Sequence, residues 1–329
     1  MRALLVSLLL LAGCAKGDAK TVTILNVSFD PTRELYEELN AAFSREYAAK
    51  TGVTVTVNQS HGGSGKQARA VIDGLEADVV TLALAYDIDA IASKSKALKA
   101  DWSQRLPRGS VPFSSTIVFV VRKGNPKGIA DWEDLAKPGV QVITPNPKTS
   151  GGARYNYLAA YGSAQRKAGG DEGPAKALVK GIYTNVPVLD TGARGSTTTF
   201  VERGIGDVLV TWESDALLVL AGRQGAELEL VVPSVSILAE MPVAVLDGNV
   251  EKHGTRAVAE AYVQFLYSEA ARGIAVKHGF RPTGDGVVLP ERFVKVETFG
   301  VDAQFGGWAK AQAAHFDDKA QFDQLAVKP

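Results

Sequence analysis

The sequence predicts an α/β protein made of two lobes that face each other across a cleft. A strand–helix–strand–helix–strand series occupies residues 22–83, and a second α/β series begins near Asp131. Strands that alternate with helices build a mostly parallel sheet covered by helices. The chain of 329 residues is longer than one small domain requires and can supply two lobes of ordinary size.

The first series is predicted from hydrophobic spacing and from helix-start residues. Leu35, Leu39 and Phe43 repeat every four residues, which is the spacing of one face of a helix. Pro31 suits the first turn of this helix, and Asp30 before it is predicted to cap the N-terminus. The predicted elements are strand 22–27, helix 31–47, strand 53–57, helix 67–75 and strand 78–83.

The second series follows a β-rich run at 116–121. Further strands are predicted at 140–143, 186–189, 208–211, 228–232 and 241–246, with helices starting at Ala153 and covering 258–267. The element order divides the chain as follows: lobe 1 from 21–113 and 240–300, lobe 2 from 114–239, and a C-terminal helical segment at 301–329.

The N-terminus has the pattern of an export signal. Arg2 is followed by the apolar run 3–11 and by small residues, which predicts a signal peptide at 1–13. The run is too short to cross a bilayer, because a spanning helix needs about 20 apolar residues. The protein is therefore predicted to lie in the periplasm or on the outer face of the cell membrane.

The only cysteine, Cys14, directly follows Leu11-Ala12-Gly13. This arrangement resembles the lipobox of bacterial lipoproteins, in which the cysteine is acylated and becomes the new N-terminus. The resemblance implies that Cys14 carries a lipid anchor and that residues 14–20 form a tether. The alternative is an ordinary cleaved signal with an incidental cysteine.

The composition excludes several functional classes. Lysine and arginine total 36, as do aspartate and glutamate, so no basic surplus predicts binding to nucleic acid. Four histidines and one cysteine provide little material for a structural zinc site or a disulfide framework. We expect neither a metal nor a cofactor.

Four loops place small residues before a predicted helix, at residues 26–32, 59–67, 145–154 and 190–197. In open α/β sheets, ligands bind beyond the carboxyl ends of the strands, which is where such loops stand. Free N–H groups and the helix dipole at a helix start favour an anion. Four loops of this kind, spread over both predicted lobes, predict an anion-binding cleft.

Two catalytic alternatives fit the sequence less well. The loop at 59–67 lacks the first glycine of a nucleotide-binding P-loop, because Ser60 stands there, and Gln67 replaces the hydroxyl residue that binds magnesium. His61 is the one histidine in a candidate loop, and no G-x-S-x-G elbow supports a serine nucleophile beside it. We interpret His61 as a residue that braces its loop, and His253 and His315 as surface residues.

The same loops resemble the bacterial periplasmic sulfate-binding protein family over nearly the whole chain after the signal. The matching stretches are 25–35, 59–67, 82–87, 143–148, 150–154, 192–197, 200–209 and 305–312. Phe29 and Thr149 are conservative differences beside the site, and the lipobox departs from many relatives that float free. The resemblance implies a type II periplasmic-binding-protein fold, with the ligand in the cleft between the lobes.

The resemblance also implies which groups hold the anion. Arg194 would stand behind the site without touching the ligand. The expected ligand groups are the backbone N–H groups of Asp30, Gly151, Gly152 and Ala193, the hydroxyls of Ser64 and Ser150, and the indole N–H of Trp212.

The implied function is high-affinity binding of sulfate and its delivery to the membrane permease of an ABC importer. Thiosulfate as the main ligand is the alternative, since its size and charge are close to those of sulfate, and molybdate or phosphate are further oxyanions. An exported enzyme acting on a sulfate or phosphate ester would need a nucleophile–base pair or a metal cluster, which the sequence does not offer. We therefore expect a monomeric binding protein and not an enzyme.

Overall fold

The computed structural model describes residues 21–325. The predicted signal peptide 1–13, the proposed lipidation site Cys14 and the tether 14–20 lie outside the described residues. Within 21–325, no helix combines the length and the apolar character that crossing a membrane requires.

Strands and helices alternate along most of the described chain. The strands are β1 Thr21–Ser28, β2 Thr54–Ser60, β3 Val79–Thr81, β4 Phe113–Arg122, β5 Val142–Ile143, β6 Val208–Trp212, β7 Leu228–Val231, β8 Val235–Met241, β9 Val243–Val245, β10 Arg281–Pro282 and β11 Glu297–Phe299. The helices are α1 Arg33–Thr51, α2 Ser64–Ile72, α3 Ala85–Lys94, α4 Pro107–Ser110, α5 Gly151–Lys167, α6 Glu172–Thr184, α7 Ala193–Thr197, α8 Glu213–Ala221, α9 Asp247–His253, α10 Arg256–Phe265, α11 Glu269–Lys277, α12 Val301–Phe305 and α13 Trp308–His315.

The first sheet has the strand order β2-β1-β3-β9. Strand β1 runs parallel to both neighbours, with Val27 opposite Ser60 of β2 and Ser28 opposite Thr81 of β3. The carboxyl ends of the three parallel strands therefore meet at one edge of the sheet. The first two candidate loops leave from this edge, so they are neighbours in space.

The second sheet has the path β11-β8-β4-β6-β5, and β7 and β10 also pair with β4. The central strand β4 is buried from Phe113 to Val121, as expected for a strand covered on both faces. Each sheet with its helices forms one lobe, which confirms the predicted two-lobe α/β fold. The lobe boundaries remain a prediction; strands β10 and β11 hydrogen-bond to β4 and β8 of the second sheet.

Three sequence-based expectations about local structure were wrong. Residues 186–189 form no strand, because Pro187 has no N–H to donate to a ladder. The stretch predicted as one strand at 241–246 contains the end of β8 and all of β9, with Pro242 between them. Asp30 is the first residue of a 3₁₀ turn, Asp30–Thr32, whose cap position is Phe29 and lacks a side-chain cap bond.

The C-terminal segment packs against α5 and α6 through aromatic rings. His315 is 5% exposed, and its ring lies 4.6 Å from that of Tyr161 and 5.4 Å from that of Tyr157, measured between ring centroids. The expected surface position of His315 is therefore wrong. Burial lowers the pKa of His315 to about 4, with the charges of Glu172 and Lys176 acting in opposite directions.

The depressed pKa of His315 predicts an acid-sensitive fold. An unfolded histidine has a pKa of about 6.5, so between pH 6.5 and 4 the unfolded chain binds more protons than the folded chain. The free energy of unfolding should therefore fall as the pH is lowered through this window. His315→Phe should reduce that slope by up to about 1.4 kcal/mol per pH unit in urea unfolding measured between pH 7 and 4.5.

His253→Gln is the control. Asp78 and Glu76 raise the pKa of this surface histidine, so its removal should not reduce the slope. An unchanged slope in His315→Phe would show that His315 does not remain neutral in the folded protein.

Candidate anion-binding site

Loops from both lobes converge on one small cavity. The space between them is small, about 180 Å³ including the part that is open to solvent. It has room for a ligand of a few heavy atoms at most, and not for a drug-sized molecule. The cavity is lined by Phe29, Asp30, Pro31, Gly62, Gly63, Ser64, Ser150, Gly152 and Ala193.

The start of α5 supplies a group of donors. Ser150 is the N-cap residue, and its hydroxyl oxygen accepts a hydrogen bond from the Ala153 N–H at 3.3 Å. The hydroxyl hydrogen is then available for a ligand. Gly151 and Gly152 are the first residues of the helix, where N–H groups have no carbonyl partner within the helix.

The two glycines allow the lobes and the ligand to approach the backbone closely. A Cβ on Gly151 would lie 2.9 Å from Ala83 Cβ and 3.0 Å from Ser64 Cβ, both in lobe 1. A Cβ on Gly152 would lie 3.0 Å from the indole Nε1 of Trp212. A side chain at Gly152 would therefore occupy the space in front of that donor.

Trp212 places a buried donor at the cavity. Its side chain is 1% exposed, and Nε1 finds no acceptor among the described residues. The rings of Phe29 and Tyr155 fix the indole at centroid distances of 5.4 and 5.5 Å. A buried N–H without an acceptor is costly, so this atom indicates a ligand that accepts from it.

Ser64 lies in the cavity, but its hydroxyl has another partner. The hydroxyl donates to Asp87 Oδ2 at 2.5 Å and accepts from the Ala83 N–H at 3.1 Å. The expected role of this hydroxyl as an anion donor therefore requires correction. Ser64 is the first residue of α2, and its backbone N–H is one of those that the helix leaves without a partner.

Asp30 also lines the cavity, and its backbone N–H is engaged within the protein. This N–H donates to the Gly62 carbonyl oxygen at 3.1 Å. The carboxylate lies against Gly192, which has no Cβ to obstruct it. Burial raises the pKa of Asp30, and the positive charges of Arg33 and Arg194 oppose that rise.

Helix α7 brings the backbone of Ala193 to the cavity and directs Arg194 elsewhere. Ala193 follows the cap residue Gly192 and is the first residue of this short helix. Arg194 pairs with Glu34 of α1 at 2.5 Å, which joins lobe 2 to lobe 1. The guanidinium is thus not among the groups that line the cavity.

Two titratable side chains near the cavity, His61 and Asp215, have pKa values that reduce their charge at pH 7. Burial, assisted by the positive charge of Arg33, lowers the pKa of His61 to about 4, so its imidazole is neutral at pH 7. Burial raises the pKa of Asp215, in the first turn of α8, to about 7. No hydrogen bond from His61 to its loop is present among the described residues, and its Nε2 is buried without a partner.

A buried ion pair closes the cleft beneath the cavity. Arg154 of α5 lies 3.4 Å from Asp87 of α3, and both side chains are at most 9% exposed. The Arg154 Nε also donates to the Pro147 carbonyl oxygen at 2.9 Å. Since Asp87 accepts from Ser64 as well, the pair connects the first turn of α2 to the loop that precedes α5.

Asp87 and Arg154 had no predicted role, although both lie in stretches that carry the resemblance. Their position beside ligand loops was the available signal, but the pairing joins residues 67 positions apart. Five of the seven predicted site residues line the cavity, namely Asp30, Ser64, Ser150, Gly152 and Ala193; Gly151 and the Trp212 indole lie next to Gly152. Within residues 21–325, no group of three or more His, Cys, Asp or Glu side chains could hold a metal ion.

Comparison with known proteins gives a consistent set of matches. Residues 25–281 match the family described as bacterial extracellular solute-binding protein. The chain is 56% identical over 312 residues to the sulfate-binding protein of Escherichia coli (strain K12), with 94% of each chain covered. It is 50% identical over 331 residues to the thiosulfate-binding protein of Pseudomonas aeruginosa, with 99% of each covered.

Solved structures match over most of the chain. The sulfate-binding protein of Mycobacterium tuberculosis H37Rv has a TM-score of 0.79 at 30% identity, covering 90% of this chain and 99% of that one. A ferric binding protein from Campylobacter jejuni has a TM-score of 0.64 at 16% identity, covering 92% and 100%. At 16% identity, the second match shows a similar fold and nothing about function.

Removal of the indole donor should weaken anion binding without removing the aromatic packing. We expect Trp212→Phe to lower the affinity for a small oxyanion roughly 10- to 100-fold in titration calorimetry, the order of one lost buried hydrogen bond. Trp102→Phe is the matched control, because the Trp102 Nε1 donates to Asp89 at 2.9 Å away from the cavity. Equal affinities for Trp212→Phe and the parent would exclude Nε1 as a ligand group.

A methyl group on Gly151 should obstruct closure of the lobes. The atoms that it would meet belong to lobe 1, so the clash arises only when the lobes are together. We expect Gly151→Ala to weaken anion binding roughly 5- to 100-fold, in line with overpacking costs of about 1–3 kcal/mol. Small-angle scattering should show a smaller ligand-induced contraction.

Gly273→Ala is the control for this substitution, because a Cβ there meets no atom within 4 Å. A Gly151→Ala protein that contracts and binds like the parent would contradict the arrangement described for the cleft.

Proposed function

We propose a specific role for this chain within the family of bacterial extracellular solute-binding proteins, to which it belongs. It captures sulfate in the cleft between its lobes and delivers it to the permease of an ABC importer. The observation that carries this proposal is the buried Trp212 Nε1, which has no acceptor among residues 21–325, beside helix N-termini that face one small cavity. The sulfate-binding relatives support the same ligand.

The proposed ligand groups are neutral. They comprise the Ser150 hydroxyl, the Trp212 indole N–H, and the backbone N–H groups of Ser64, Gly151, Gly152 and Ala193. The Asp30 N–H would be shared between the anion and the Gly62 carbonyl oxygen, so we expect it to contribute least. A hydrogen bond to a charged acceptor is about twice as strong as one between neutral groups, so several such donors can offset the lost hydration of a dianion.

A donor-only cavity also accounts for selectivity against phosphate. Hydrogen phosphate carries a proton that requires an acceptor, whereas sulfate at neutral pH carries none. A site that presents only donors leaves this proton unpaired, and a buried unpaired group costs about 1–3 kcal/mol. We therefore propose that phosphate is rejected by its proton and not by its size.

Thiosulfate is the second candidate ligand. The observation that favours it is the match to thiosulfate-binding relatives, at 50% identity in Pseudomonas aeruginosa and 44% in Escherichia coli. Its terminal sulfur is larger and a weaker acceptor than oxygen, so one donor would be used less well. We propose sulfate as the preferred of the two.

The remaining parts of the proposal concern the setting of the protein. We propose that it acts outside the cytoplasm, as a monomer held to the membrane only through a lipid on Cys14, and that it catalyses no reaction. Among residues 21–325, no acidic side chain hydrogen-bonds to the neutral His61 to orient it as a base, which supports binding without catalysis.

Titration calorimetry of the chain without residues 1–14 tests the ligand assignment. We expect one-to-one binding of sulfate, weaker binding of thiosulfate, and no heat from phosphate or molybdate. Ser150→Asp should abolish sulfate binding, because a carboxylate would face the dianion. Ser93→Asp, at an exposed serine of α3, is the control.

If thiosulfate binds more tightly than sulfate, the fold and the cavity stand and the ligand is reassigned. Phosphate that competes equally with sulfate would contradict the donor-only account. If none of these anions binds, the proposed function is wrong.

A further inference from the structure

Lys148 lies two residues before Ser150 in the loop that leads into α5, yet its ammonium group points away from the cavity. The Nζ donates to the carbonyl oxygens of Phe316 at 2.9 Å and Asp317 at 3.2 Å, and to Asp323 Oδ2 at 2.9 Å. All three acceptors belong to the C-terminal segment. Lys148 is close in sequence to the anion site, but its ammonium group is therefore bound to the C-terminal segment.

We define residues 301–325 as the C-terminal strap; it contains α12, α13 and the 3₁₀ turn Gln321–Leu325. The strap is fixed to lobe 2 through aromatic contacts. The ring of Trp308 lies 5.0 Å from that of Tyr155, that of Phe316 lies 5.2 Å from Tyr157, and that of Phe322 lies 5.2 Å from Tyr183. Helix α13 also packs on α3 of lobe 1. The strap is thus a rigid support that reaches both lobes.

The ammonium group of Lys148 binds the strap where α13 ends. Helix α13 finishes at His315 with Phe316 as its C-cap residue, and the carbonyl oxygen of a C-cap residue has no partner within the helix. A lysine that donates to such carbonyls is a recognised way to satisfy a helix C-terminus. The side chain is 29% exposed, so water screens this interaction only in part.

The backbone around Lys148 connects this contact to the rest of the loop at 145–150, which precedes α5 and which we call the anion loop. The Lys148 N–H donates to Asn146 Oδ1 at 2.9 Å, and the Ser150 N–H donates to the Asn146 carbonyl oxygen at 2.9 Å. Asn146, Lys148 and Ser150 therefore form one tight turn. Fixing the Lys148 side chain on the strap fixes the direction from which Ser150 and Gly151 enter α5.

The strap also touches the ion pair that closes the cleft. The guanidinium of Arg154 lies 5.8 Å from the ring centroid of Phe316 in the strap and 5.9 Å from that of Tyr86 in α3. The strap thus contacts this region at two points, Lys148 in the loop before α5 and Arg154 in the first turns of α5.

We propose that the C-terminal strap positions the anion loop through Lys148, which makes Lys148 a positioning residue and not a ligand. This inference rests on the proposed function, because it assigns the strap a role in anion affinity. Asp323 neutralises much of the Lys148 charge locally, so the cavity keeps its neutral set of donors.

The direction in which Asp323→Asn changes the affinity distinguishes a positioning role of Lys148 from electrostatic attraction of the anion by its charge. If the strap positions the loop, then Lys148→Met should weaken sulfate binding by about five- to tenfold, since it removes all the Lys148 contacts with the strap. Asp323→Asn should weaken binding by a smaller factor, since the contacts with the two carbonyl oxygens and with Asp318 remain. If Lys148 instead attracts the anion by its charge, Asp323→Asn should tighten binding, because it removes a negative charge and frees the ammonium. Titration calorimetry at low salt measures the sulfate affinity of both variants.

Lys148→Arg should restore most of the affinity, because a guanidinium can reach the same acceptors. Lys127→Met is the matched control: Lys127 also donates to a carbonyl oxygen, that of Gly139 at 2.7 Å, away from the anion loop. Tighter binding in Asp323→Asn, or unchanged binding in Lys148→Met, would overturn the proposal.

Hydrogen exchange in the absence of any anion tests the positioning separately from the ligand assignment. Peptides that cover 145–158 should exchange faster in Lys148→Met and Asp323→Asn than in the parent, and those that cover 26–32 should not change. If sulfate fails to bind the parent, the proposed function fails, and this exchange result still decides whether the strap holds the loop. Equal exchange at 145–158 would overturn the positioning role.

Discussion

The arrangement of the loops follows from one constraint, that an anion bound between the lobes must be met by hydrogen-bond donors. A buried charge is costly unless hydrogen bonds replace its lost hydration, and that requirement determines the arrangement of the loops. The first turns of α2, α5 and α7 face one cavity, and the indole of Trp212 is held there by two neighbouring rings. Two arginines near the cavity are paired with carboxylates, Arg194 with Glu34 and Arg154 with Asp87.

These pairs connect the cavity to the contact between the lobes. Ser64 donates to Asp87, Asp87 pairs with Arg154, and Arg154 belongs to the helix that begins at Ser150. A buried ion pair of this kind gains little net stability over apolar contacts, but losing one partner leaves an unpaired buried charge. The arrangement therefore favours one defined position of the lobes over nearby alternatives.

Much of the fold could be predicted from the sequence, because β1 to β3 and α1 carry clear periodic patterns. The error at 186–189 arose because apolar residues at strand spacing include Pro187, which cannot join a ladder. At the site, the four loops could be identified from glycines and helix starts, and the family resemblance supplied the seven expected ligand residues, whose role as ligands stays a prediction. The role of the Ser64 hydroxyl could not, because its partner Asp87 is 23 residues away in sequence. The contacts of Lys148 could not be predicted either, since its partners lie 168 to 175 residues further along the chain.

The short connection between β8 and β9 has a mechanical consequence. Pro242 alone separates Met241, in the second sheet, from Val243, in the first. The pyrrolidine ring fixes φ at this residue, so rotation here is left to ψ and to the flanking residues. A connector with so few free torsions resists sliding of one lobe over the other and permits bending about a narrow axis. If the lobes open by bending at this connection, they would return to the same alignment on closing, with the loops on opposite sides of the cavity in register.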